Sequence, residues 1–176
     1  MKKYFIGLAC LIVFSACSSE NTVLEGLRVY DVTNSTCKTS LSSAETRSDF
    51  HLENDAKPPT LSIELGKDGV AQCMLEDVEA NCGLKNLFVT TTNQGNQITL
   101  LVYHNIIEAL TDCYCNFDVH FKMSDLTPGN YFLKVYYAKP NMKYKETEPA
   151  YSGRITLVSD KKTSINLKPE MTIPDF

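Results

Sequence analysis

The sequence lacks any sustained apolar spacing of 3.6 residues, and beyond residues 4–14 it has no long apolar run. The first absence argues against a helical fold. The second argues against a further membrane-crossing helix, which needs about 20 apolar residues. His-Glu-x-x-His, Gly-x-Ser-x-Gly and a phosphate-cradling glycine loop are all missing, which removes the best-marked metalloprotease, serine-hydrolase and nucleotide-binding classes. DVTNST (31–36) and KDG (67–69) are too short for a calcium loop of the EF-hand kind. Carboxylates are plentiful, but none stand in a pairing suited to general acid–base work. No internal repeat or low-complexity tract is present. Positive charge is also short, and a phosphate backbone needs a positive surface, so nucleic acid is not an expected partner. These absences together predict a protein that is not an enzyme and uses no cofactor.

What is there begins with MKKYFIGLACLIVFSACSSE. Lys2 and Lys3 form a basic start, Tyr4 to Phe14 an apolar stretch, and Ser15-Ala16 a small-residue site before Cys17. That is the layout of a secretory signal peptide, too short to span a bilayer. Phe14-Ser15-Ala16-Cys17 resembles the lipobox of bacterial lipoproteins, departing from it in Phe14 where leucine is usual. The resemblance implies cleavage before Cys17 and acylation of that cysteine. Several acyl chains anchor firmly, since each buried CH2 contributes roughly 0.8 kcal/mol. Ser18 is not the aspartate associated with inner-membrane retention, so the resemblance implies the outer membrane. Cys10 lies inside the apolar stretch as filler. The expected organisation is a signal peptide over 1–16, a lipidated tether over 17–23 and one domain over 24–176. Removing Lys2 and Lys3 leaves 15 basic against 21 acidic residues, a formal charge of −6.

Within the domain, short strand signals follow one another. VLEGLRVYDV (23–32) reads as a first strand, and 39–60 as a polar connection with a helical turn near 41–47. LSIEL (61–65) and VAQCML (70–75) flank a GKDG turn, and KNLFVTTT (85–92) and QITLLVYH (97–104) flank NQGN, where Gly95 suits positive φ. CYCNFDVHFKM (113–123) is the clearest strand; TPGN (127–130) predicts a type II turn into YFLKVYY (131–137). RITLVS (154–159) and SINLKP (164–169) close the chain. About eight short strands at this spacing predict an all-β, antiparallel β-sandwich. Leu126, Pro128, Gly129, Tyr131, Leu133 and Val135 fit a Leu-x-Pro-Gly-x-Tyr-x-Leu-x-Val pattern that resembles Ig-like and transthyretin-like sandwiches. That resemblance implies an Ig-like fold and no activity.

Cysteine is the richest chemical signal. Outside the cytoplasm disulfides persist, and the domain holds Cys37, Cys73, Cys82, Cys113 and Cys115, an odd number. Side chains alternate faces along a strand. Cys113 and Cys115 therefore share the apolar face with Phe117, Val119 and Phe121, while Asp118 and His120 face water. Ligands on opposite faces cannot converge on one metal ion, and two cysteines on one face of an extended strand stand too far apart to bridge. Buried sulfur also does not suit redox chemistry. If strands 85–92, 97–104 and 113–123 run up, down, up, Cys82 and Cys113 lie at one end of the sheet. Cys82 is then expected to bridge to Cys113 or Cys115, with Cys37 or Cys73 taking the other member. The pattern Cys82, Cys113-x-Cys115-x-Phe117-Asp118-Val119 and a Gly-x-Tyr turn resembles one in small exported lipoproteins of Bacteroides-type bacteria, which implies a lipoprotein and a sandwich and brings no activity.

Tyrosine crowds the C-terminal third. Tyr131 and Tyr137 fall on the face of Leu133 and Val135 and are expected in the core, with Tyr136 opposite. The charged 139–148 loop carries Met142, Lys143, Tyr144 and Lys145, residue types that suit a contact surface. The expected function is that of a lipid-anchored envelope module binding a protein, peptide or glycan. Two alternatives stand beside it: a protease inhibitor presenting that loop, and a thiol- or metal-dependent envelope enzyme.

Overall fold

The computed structural model describes residues 26–38, 57–105 and 114–169. The leader, the tether with Cys17, the turn expected near 41–47 and Cys113 lie outside the described residues. Nine strands follow in order: β1 (Val29–Asn34), β2 (Thr60–Leu65), β3 (Ala71–Asn81), β4 (Leu87–Gln94), β5 (Gln97–His104), β6 (Tyr114–Met123), β7 (Gly129–Tyr137), β8 (Tyr151–Leu157) and β9 (Lys162–Asn166). No helix occurs among the described residues. The strands form a five-stranded sheet A, order β1-β6-β3-β2-β9, and a four-stranded sheet B, order β4-β5-β7-β8. The protein is an all-β sandwich.

Alternation builds the core. The inward set Leu61, Ile63 and Leu65 on β2, Leu75 and Val78 on β3, Phe117, Val119 and Phe121 on β6, and Leu133 and Val135 on β7 is at most 2 % exposed. Each such side chain contributes about 1.5–3 kcal/mol on burial. Both predicted hairpins form: β2 and β3 close at Leu65↔Ala71, and β4 and β5 at Gln94↔Gln97 with Gly95 at φ 57°.

Three features depart from the expected sandwich. The sheets are not wholly antiparallel, because β5 and β7 pair in parallel. The chain leaves sheet B after β5, and β6 joins sheet A between β1 and β3, so β4, β5 and β6 are not three neighbours in one sheet. The end of β3 is nevertheless beside the start of β6, with Asn81↔Tyr114; Cys82 reaches the β6 cysteine end through β3 rather than through β5. Finally, the turn before β7 is not type II. Gly129 is absent from the positive-φ residues and instead opens β7, while Asp125 takes the left-handed conformation at φ 57°.

Two bulges interrupt sheet A, between Tyr30 and Thr33 on β1 and between Leu75 and Val78 on β3. Each contains an aspartate in left-handed conformation, Asp31 at φ 52° and Asp77 at φ 59°. Asp tolerates this region better than most residues. At the crossing from sheet A to sheet B, Tyr131 is 1 % exposed and its hydroxyl donates to the Thr127 carbonyl at 2.7 Å. The hydroxyl oxygen lies 3.3 Å from the Thr127 N–H, which donates to it. One buried ring thus fixes the corner between the two sheets.

Candidate functional site

The 139–148 loop leaves β7 and folds back over the outer face of sheet B. Lys139 to Met142 form a turn, with Pro140 at its second position and the Met142 N–H donating to the Lys139 carbonyl at 2.8 Å. The Lys139 N–H donates to the Lys143 carbonyl at 2.9 Å, and the Asn141 side chain accepts from the Lys143 N–H at 3.0 Å. Met142 takes φ 61° and is 51 % exposed. On the return limb the Glu148 N–H donates to the Lys145 carbonyl at 3.1 Å, and Lys145 pairs with Glu148 at 3.2 Å.

Tyr144 latches this loop to the sheet. Its ring packs on Tyr136 with centroids 4.5 Å apart, and the Tyr136 hydroxyl donates to the Glu146 carbonyl at 3.2 Å. Tyr136 does lie opposite the core, as alternation requires, yet it is only 3 % exposed, in a small outer cluster with Leu101 and Ala138. Burial, with Tyr144 and Glu146 nearby, raises the Tyr136 pKa. Tyr103 borders the cluster and stacks on Phe88 at 5.4 Å. An aromatic ledge therefore runs across the outer face of β4 and β5 to the loop. The signal for it was available: Phe88 and Tyr103 occupy outward positions of a hairpin whose inward positions are aliphatic.

The sulfurs gather at one end of sheet A. Cys37 and Cys115 form a disulfide with Cα atoms 5.7 Å apart. Cys82 is disulfide-bonded as well, and its Sγ lies within 4.8 Å of the other two. Of the expected alternatives, Cys115 is thus taken by Cys37, and among the described residues Cys73 is the free thiol, buried in the core with its pKa pushed up by desolvation. Three thiolates this close match the spacing around a zinc ion, but sulfurs in disulfides are not thiolates. His120 is exposed, on the face of β6 opposite Cys115. His104 is buried on β5 and its Nδ1 sits 2.6 Å from the Asn105 carbonyl.

A charged clasp holds the segment after β1 that carries Cys37. Lys38 Nζ contacts Asp77 at 3.1 Å and also pairs with Asp118. Asp118 accepts from the Asp77 N–H at 3.1 Å, and its own N–H donates to Ser35 Oγ at 3.0 Å. Desolvation works against the Lys38 charge, but the hydrogen bonds to Asp118 and Asp77 outweigh it and raise the pKa. The clasp stabilises the β3 bulge and the disulfide-bearing segment together. A comparison with known protein families, characterised proteins and solved structures finds no match to this chain.

Proposed function

We propose that this protein is a lipid-anchored module of the cell envelope, held at the outer membrane through Cys17, which acts by contact and not by catalysis. The observation that carries the reading is the 139–148 loop: a hydrogen-bonded loop, latched by Tyr144 on Tyr136, that holds Met142 out to solvent. An ordered loop loses little conformational freedom on docking, which favours binding. The half-exposed Phe88 and Tyr103 extend the same surface, and aromatic and Met side chains are the types enriched at interface centres. A protein or peptide is the partner this surface suits. The scaffold we infer is Ig-like: the Tyr131 hydroxyl bonded back to Thr127 is the arrangement of a tyrosine corner, while the parallel β5–β7 pair is where it differs.

The same loop supports a second reading, a protease inhibitor, since Met142 is presented on a restrained backbone. The test uses membranes from cells expressing the full chain. The wild type should sediment with membranes and retain a partner that Met142→Asp and Tyr144→Ala lose, while Cys17→Ser moves the protein to the soluble fraction. Retention of the same proteins by the loop variants would overturn the contact reading. Inhibition of an added protease with the loop left uncut would replace it with the inhibitor.

A further inference from the structure

Among the described residues no further element packs on the outer face of sheet A, and its side chains fall into ordered cross-strand rows. Tyr30 stands opposite Lys122, Lys122 opposite Gln72, Gln72 opposite Glu64, and Glu64 opposite Lys162. Adjacent strands lie about 4.8 Å apart, so this row of five extends about 19 Å. The next row places His120 beside Met74 and Met74 beside Ser62, which shares a 3.1 Å hydrogen bond with Ser164. An open depression of about 440 Å³ lies over these rows, within the ~300–1,000 Å³ range of small-molecule sites.

We infer that this depression is a second binding site, for a neutral oligosaccharide. Charge is the first reason. Lys122 is paired with Asp31 at 3.0 Å, and Lys162 is the register partner of Glu64, so the floor has no excess of either sign to draw a polyanion or polycation. Side-chain chemistry is the second. Gln72, Glu64 and His120 offer mixed donors and acceptors, which a polyol's hydroxyls satisfy in both directions. Met74 is the one apolar side chain pointing outward in the second row, and Tyr30, outside the lining but exposed beside Asp31 and Lys122 of it, adds a ring at one end, matching the C–H faces of a sugar. A helix or apolar peptide would find too little to bury here. The depression lies on the opposite sheet from the 139–148 loop, so it stands or falls independently of that surface.

The full chain in detergent micelles is applied to an array of neutral hexose oligosaccharides, with a sulfated tetrasaccharide as the charged control. At least one neutral oligosaccharide should bind, with affinity unchanged by salt. Gln72→Ala and Glu64→Ala should each weaken it about tenfold, the loss of one good hydrogen-bonding group, and Tyr144→Ala should leave it intact. Both altered residues face outward, and an unchanged circular dichroism spectrum verifies folding; Tyr30→Ala supplies an independent variant at the rim. No neutral ligand bound by the folded wild type, binding only of the sulfated sugar with loss in salt, or affinity indifferent to all three rim and floor variants would each overturn the assignment.

Discussion

Lys38 sits between two carboxylates, and its removal separates charge from geometry. Lys38→Met deletes both ion pairs but leaves Asp118 its backbone donor from Asp77. With Lys38 39 % exposed, solvent screening limits the loss to about 1 kcal/mol or less. Asp118→Ala also leaves the Asp77 N–H of the bulge unpaired, and should cost more, about 1–3 kcal/mol. Urea denaturation of the two variants tests the order. The sign of the pH effect follows from the raised Lys38 pKa. Its contribution is complete below the ordinary value of 10.5 and is lost as pH climbs through the raised folded-state value, so on raising the pH from neutrality wild type and Lys38→Met should keep their difference in stability until strong alkali. Tyr131→Phe is a sharper test of the corner. It keeps the buried ring but leaves the Thr127 N–H and carbonyl without their partner, a loss of about 1–3 kcal/mol, read as a lower urea midpoint at unchanged slope.

The elements differ in how far the sequence disclosed them. Strands with one wet face were legible, because Leu61, Ile63 and Leu65 alternate with Ser62 and Glu64 along β2, and burial follows that alternation. The Cys115-in, His120-out assignment rested on the same period and holds. Partnership between strands was not legible: nothing local in β6 tells that it pairs between β1 and β3 in sheet A and not beside β5, since its inward pattern would serve either sheet. The parallel β5–β7 pair was equally hidden, because parallel and antiparallel strands carry the same inward pattern when both are buried. Of the site, Met142 to Lys145 were visible by composition, but the latch was not. Tyr136 lies on the outer face by period, and only the returning loop buries it. The latch makes its own prediction. Tyr144→Ala should expose Lys143 and Lys145 to trypsin, raising the cleavage rate on the order of tenfold, with less than about 1.5 kcal/mol lost globally, the value of an aromatic pair. Uniform cleavage elsewhere instead would show that the loop is not a separate unit.

For the whole molecule, sulfur links fold, anchoring and compartment in one measurement. The Cys37–Cys115 bridge spans 78 residues of sequence, so in the chain-entropy model it stabilises by about 4–5 kcal/mol. It ties the segment following β1 to β6, the central partner of β1 and β3, and Cys82 is bonded beside it. The core thiol of Cys73, in register with Ile63 and Phe121, is buried and has its ionisation suppressed by that burial, so it reacts only on unfolding. If Cys17 is acylated and Cys82 pairs with Cys113, the one remaining cysteine of the mature domain, protein extracted from membranes without reductant has one thiol. A thiol reagent should then find none in the native protein and one in denaturant, and peptide mapping should place the label on Cys73. Labels at Cys73 and Cys17 would show an unacylated chain, with Cys10 labelled as a third site where the leader is retained, and would remove the anchor. Labels at Cys82 and Cys113 would show an open second bridge, with Cys82 Sγ then beside the Cys37–Cys115 pair, and would return a thiol-dependent chemistry to consideration.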